Sequence, residues 1–313
     1  MLNQSVPLGD DLKSILIEKA YRFWKRDFSE DVRNVNLELA KYQQVSAGFR
    51  EDIPAIPFSS YPFDLFPGNC IAIIGLNPAY QNPKKLTAYR EQVELQQFHK
   101  EGRAGFNKFL KNRADYFTES NLNYHGGHFT KLGGFLGRTL LSNAAEYSVD
   151  DKLNCSMKIF RNFVFVSDFL PWFSENTKNT SAQKVSSSKS DSLMMYRSLL
   201  SDILCVLKPR WIQCNGLQMA QYAECVFGLG EGGLIERRYG ENEKWRILVS
   251  RIEIEPSDDL KEIVQPLRTF LCLHNFTSSR SGQSFKHFSK MSECLRTWIG
   301  DEERFQFDML SPR

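Results

Sequence analysis

A chain of 313 residues, 42% hydrophobic and 25% charged, has the composition of a folded protein with a large core and not that of a disordered segment; its length suits one large domain or two modest ones. A net charge of +3 is too small to announce nucleic-acid binding, so a basic face would have to come from local clustering. The N-terminus MLNQSVPLGDDLK lacks the layout of a signal peptide, and no apolar run approaches the ~20 residues that span a bilayer, so neither is expected. In chain order, DDLKSILIEKAYRFWKR sets Leu12, Ile15, Leu16, Ala20, Phe23 and Trp24 at helical spacing, with Asp10 or Asp11 as cap. A second helix follows in SEDVRNVNLELAKY, and the Pro-rich DIPAIPFSSYPFDLFPGN is extended. CIAIIG predicts a first strand, residues 86–120 a charged helical region, and NYHGGHFTKLGGFLGRTLL a Gly-rich turn feeding a helix. NFVFVSDFLPWF predicts a second strand ended by Pro171, and TKNTSAQKVSSSKSDS a polar connection. LMMYRSLLSDILCVLKP is a periodic helix stopped by Pro209; RWIQCNG is a third strand and LQMAQYAECVFG a helix. ERRYGENEKWRILVSRIEI reads as a hairpin, PLRTFLCLHNF as a last strand and KHFSKMSECLRTWI as the final helix.

Strands alternating with helices predict an α/β fold, a three-layer sandwich whose central, mostly parallel sheet carries helices on both faces. Residues 1–50 read as a helical elaboration, 51–300 as the main domain with an inserted hairpin at about 231–265, and 301–313 as a tail. The seven cysteines (Cys70, Cys155, Cys205, Cys214, Cys225, Cys272, Cys294) contain no C-x-x-C pair. That spacing gives neither a zinc knuckle nor an iron–sulfur signature. Their odd number and apolar settings predict buried thiols in a reducing cytosol, hence a cytoplasmic protein. No metal and no cofactor is expected, and the expected state is a monomer.

The strand exits carry the chemistry. Taken alone, IAIIGLNPAYQNPKK reads as a turn or as a strand tip aiming Asn77 at a substrate. The second strand ends on Ser167 and Asp168 and the last on His274. Three apolar strands each ending on a polar residue are what a pocket at the sheet's carboxyl edge requires.

On these residues the chain resembles the uracil-DNA glycosylase superfamily, nearest its single-strand-selective and mismatch-specific branches. GLNPA resembles the motif G-x-N-P-G, FVSDFLPW the base-reading pattern F-V-x-N-x-x-P, and HNFTSSR the last motif H-P-S-P. The likeness covers roughly 60–298. The departures are Ala79 for the second glycine, Asp168 for asparagine, Asn275 and Phe276 for Pro-Ser, and Ser278 where a wedge residue is usual. The resemblance implies a DNA N-glycosylase that flips out a base and hydrolyses its glycosidic bond. Asn77 would then orient water and His274 would stabilise the departing base, a task that supplies about 3–4 kcal/mol when an oxyanion donor performs it. Gly75, Leu76, Pro78, Tyr80 and Ser167 would line the base site, with Phe106 as the stacking ring and Tyr80 its runner-up. Lys84, Lys85, Ser278, Ser279 and Arg280 would meet DNA phosphates. DNA is thus the expected partner, and no membrane is.

Bland readings stand beside these. His274 could be a core histidine, Asp168 the cap of the following turn with Ser167 facing the pocket, and Phe106 core. His125 and His128, flanking a Gly pair, read as phosphate contacts or as a solvated turn.

Asp168 is the informative departure. An amide matches N3–H and O4 of uracil, whereas a carboxylate would repel O4. A protonated carboxyl donates to N3 of cytosine and accepts from its N4 amine, and burial favours that form. Unmodified cytosine cannot be the target without destroying host DNA. The expectation is therefore a modified cytosine, such as the glucosylated hydroxymethylcytosine of some phages, in a defence role known for one branch of the superfamily. The alternatives are a uracil or mismatch-specific repair glycosylase, a non-catalytic nucleic-acid-binding protein of the same fold, and an unrelated nucleotide-binding enzyme. The last is disfavoured because G-L-N-P-A has the spacing of neither a P-loop nor G-x-G-x-x-G.

Overall fold

In the computed structural model the described residues are 8–41, 48–76, 86–117, 129, 132–133, 136, 152–174, 190–229, 233–239, 243, 245–274, 290–291, 293–295 and 297–298. Two helices open the chain, α1 (Asp10–Trp24) and α2 (Ser29–Ala40). Gly9 is the N-cap of α1, and Asp10 and Asp11 occupy its first turn, where carboxylates meet the positive end of the helix. Strand β1 (Ile71–Gly75) is followed by α3 (Leu86–Lys100) and α4 (Arg103–Ala114). The helical region expected over 86–120 is thus two helices, parted at Gly102, whose φ of +61° lies in the left-handed region that side chains rarely adopt. Next come α5 (Lys152–Phe163), β2 (Val164–Asp168), α6 (Asp191–Leu207), β3 (Trp211–Asn215) and α7 (Ala220–Val226). Short β4 (Gly228–Leu229), β5 (Ile235–Tyr239), β6 (Trp245–Ile254) and β7 (Leu267–His274) complete the sheet.

Seven strands form one sheet, ordered β2-β1-β3-β7-β6-β4 with β5 also on β6. The pairs β1–β2, β1–β3 and β3–β7 are parallel; those of β6 with β7, β4 and β5 are antiparallel. The expectation of a mostly parallel sheet needs correcting: half the pairings are antiparallel. The cause is local. Strand β6 of the hairpin β5–β6 pairs with β7 along Leu248–Ile254 and extends the sheet by an antiparallel half.

Side-chain alternation divides the core into two layers. Ala72, Ile74, Phe165, Ile212, Cys214, Leu271 and Leu273 face a helical layer built from α1, α2, α4, α6 and α7. Ile71, Ile73, Val164, Val166, Trp211, Phe270 and Cys272 face the other way, against Ile159, Phe160 and Phe163 of α5, Leu132, Leu136, Met291 and Leu295. Helices therefore cover both faces. Residues of α1 and α2 share the first core, and Lys19 of α1 forms a 2.5 Å ion pair with the fully buried Asp202 of α6. Among the described residues no helix is long and apolar enough to cross a membrane.

Candidate functional site

The four parallel strands end on one level. Register pairs Gly75 with Asp168, Ile74 with Cys214, and Asn215 with His274, so residues 168, 75, 215 and 274 form a row across the carboxyl edge. Neighbouring strands lie about 4.8 Å apart, so three steps separate the backbones of Asp168 and His274 by about 14 Å. By alternation both residues point to the face that carries Val166 and Cys272.

At the β2 end, Asp168 lies over Gly75. A Cβ added at Gly75 would collide with Asp168 Oδ1, so the carboxyl occupies the space that a side chain there would fill. The chain segment 58–60 runs beside β2. Ser59 and Ser60 each donate their amide N–H to the Val166 carbonyl, and the Val166 N–H donates to Ser60 Oγ at 2.7 Å. This places the Ser59 hydroxyl to donate to Asp168 Oδ2 at 2.9 Å. Arg113, itself buried, donates to the Ser59 carbonyl at 3.3 Å and pairs with Glu91 at 2.5 Å. Burial pushes the Asp168 carboxyl up to about 7; the Ser59 bond, which favours the charged form, opposes this only in part. A carboxyl so placed carries its proton through much of the range at and below neutrality.

At the β7 end, His274 is 3% exposed. A 2.6 Å hydrogen bond joins its Nε2 to the hydroxyl of Tyr239, at the tip of β5. Burial raises the Tyr239 phenol above its ordinary range, so Tyr239 stays protonated.

The expected site residues fare unequally. The row brings Gly75, Asp168 and His274 onto one edge, and Leu76 follows directly, its carbonyl accepting the Leu170 N–H at 3.0 Å. Ser167 needs correcting: it is fully buried on the opposite face, its hydroxyl 2.9 Å from that of Tyr196 in α6, and does not line the edge. Tyr196 also donates to the Asp168 carbonyl oxygen at 2.6 Å, so this pair braces the strand end from behind. Phe106 needs correcting too: it is fully buried in α4 between Tyr21, Trp24 and Phe109, at centroid distances of 5.4, 6.1 and 6.0 Å. It is core and cannot stack on a base. Asn77, Pro78, Tyr80, Lys84, Lys85, Ser278, Ser279 and Arg280 lie outside the described residues, as do His125 and His128.

Ser59 and Tyr239 are the residues that sequence reasoning missed. Ser59 sits in a Pro-rich segment 109 positions from its partner, and no local pattern signals it. Tyr239 ends a hairpin strand in which the other four residues are exposed; its burial comes from tertiary packing, which no local pattern signals. Among the described residues no cluster of His, Cys, Asp and Glu could hold a metal ion. No family model matches the chain, and neither a curated protein nor a solved structure matches it.

Proposed function

We propose that this protein is a DNA glycosylase that hydrolyses the N-glycosidic bond of a flipped-out modified cytosine. The observation that carries the reading is the Asp168 carboxyl, held over Gly75 at a strand's carboxyl end and shifted up to about 7 by burial. A neutral carboxyl can present an O–H and a carbonyl oxygen side by side, which complements N3 and the N4 amine of cytosine; uracil offers N3–H and O4 instead. Supporting it, His274 stands on the same edge about 14 Å away.

In this reading the residues divide the work. Asp168 recognises the base. His274, held by Tyr239, stabilises the negative charge that develops on the departing ring, and Asn77 orients the attacking water. Catalysis then rests on preorganised electrostatics and positioning. A bulky 5-substituent such as a glucosyl group would distinguish the target from ordinary cytosine, which suits defence against phages with modified DNA.

One observation favours a second reading, a nucleic-acid-binding protein without turnover. The Nε2 of His274 is already bonded to Tyr239 and the ring is nearly sealed. Incubation with DNAs carrying uracil, cytosine, hydroxymethylcytosine and glucosylated hydroxymethylcytosine, scored for alkali-labile breaks, tests both. Breaks confined to the modified cytosines are expected, falling about 10²–10³-fold in single-turnover assays of Asn77→Ala and His274→Ala. Breaks on uracil alone would overturn the base assignment, and DNA binding with no breaks on any substrate would establish the second reading.

A further inference from the structure

Beside His274 the hairpin and the C-terminal helical residues enclose a cleft of about 520 Å³. Its lining includes Arg237, Arg238, Tyr239, Lys290, Glu293 and Trp298. We propose that this cleft carries the phosphodiester backbone of the strand whose nucleotide is extruded, an inference that rests on the glycosylase reading and locates its DNA track.

Position points there first. Arg237 pairs with Ile247 on β6, and Leu248 pairs with Leu273 on β7, so Arg237 continues the row that runs through His274 and across to Asp168. Two strand steps, about 10 Å, separate it from His274. Residues two apart on a strand share a face, and Tyr239 packs in the same core layer as Ile247, Met291 and Leu295. The cleft therefore opens on the face of the sheet to which Asp168 and His274 point. Tyr239 belongs to both places, as cleft wall and as partner of His274 Nε2.

Chemistry points the same way. Arg237 and Lys290 face one carboxylate, Glu293, in the cleft, while Arg238 points by alternation to the other face of the hairpin. Arg238 is engaged with Glu236 at 2.7 Å, whereas the exposed Arg237 forms no salt bridge among the described residues, which leaves its planar fork for an oxygen anion from outside. The charge of Arg237 is felt at Cys294 across the cleft. Half-buried Trp298 supplies a ring beside these cations, braced edge-on by Phe270 at 5.2 Å. Cations interleaved with an aromatic ring are how single strands are gripped without regard to sequence.

The test measures the salt dependence of binding to an unmodified single-stranded oligonucleotide, together with cleavage of the DNA panel. The double variant Arg237→Gln/Lys290→Gln is compared with wild type and with the control Lys261→Gln/Arg268→Gln, which removes two exposed cations away from the cleft. Each phosphate that is no longer neutralised reduces the slope of log K against log salt by about 0.7, so the slope of the cleft variant is expected to fall by about 1.4 and that of the control to stay unchanged. An unchanged slope in the cleft variant, or an equal reduction in the control, overturns the cleft assignment. A reduction confined to the cleft variant, with no cleavage of any DNA, leaves the track standing and removes the glycosylase reading.

Discussion

The two ends of the row at the sheet's carboxyl edge hold their polar groups by opposite means. Asp168 is half-buried, keeps one carboxyl oxygen over a glycine and, among the described residues, takes a single hydroxyl donor from a neighbouring extended segment. His274 is enclosed and fastened to Tyr239 by a short hydrogen bond from a hairpin. One end is shaped by the side-chain-free Gly75 beneath the carboxyl and the other by a dedicated partner. On the proposed glycosylase reading, recognition at the β2 end would depend on protonation, while the β7 end would depend on a positioning residue.

The largest break in this contrast should come at Gly75. Gly75→Val puts branched carbon where the carboxyl now sits, and overpacking of this kind costs about 1–3 kcal/mol. Cleavage of modified cytosine is expected to fall below detection, with the fold retained by circular dichroism; a fully active variant would mean that the carboxyl does not occupy the recognition site.

Asp168→Asn sharpens the protonation side. The ordinary carboxyl value is 3.8 and the folded value about 7. Below about pH 4 both states hold the proton. Between these values the unfolded carboxyl ionises while the folded one resists, so wild type loses stability as pH rises and levels off above 7. The variant should therefore gain on wild type from pH 4 to pH 8, by up to about 4 kcal/mol at the upper end, in denaturant titrations. A difference that does not vary with pH would show that Asp168 titrates normally. The amide should also shift base preference toward uracil.

Tyr239→Phe leaves His274 Nε2 without its hydroxyl partner and is expected to cost about 1–3 kcal/mol. Because the two ends stand about 14 Å apart, the double variant with Asp168→Asn should be additive to within about 0.5 kcal/mol. Strong coupling in that thermodynamic cycle would join the two ends into one unit. Ser59→Ala should have the smallest effect, about 0.5–1.5 kcal/mol, and should move the Asp168 midpoint further upward, since the lost bond favours the carboxylate.

Much of the framework was legible in the chain. IAIIG, VFVSD and LRTFLCLH announce strands because apolar residues bounded by turn signals have few other stable placements, and each does form one. Helix α5 was not legible in the same way, although KLNCSMKIFRNF buries Ile159, Phe160 and Phe163 against the sheet. Its helical period runs straight into the strand VFVSD, and nothing in the local pattern marks where one becomes the other.

Local patterning also identified which residues end the strands: Asp168 and His274 follow from apolar runs that stop on a polar group. It could not say which way Ser167 and Phe106 turn. Strand alternation sends Ser167 to the face opposite Asp168, and the helix layer closes over Phe106, so pairing and packing removed both from the edge. Nor could it supply Ser59 or Tyr239, whose roles arise from partners 109 and 35 positions away. The chain by itself determined the order of its strands and helices, because propensity and periodicity act over a few residues. Only the tertiary structure decided that Asp168 would be buried enough to keep its proton and that a hairpin would reach His274, because desolvation and hydrogen-bond geometry depend on everything that packs around a group, whatever its distance along the chain.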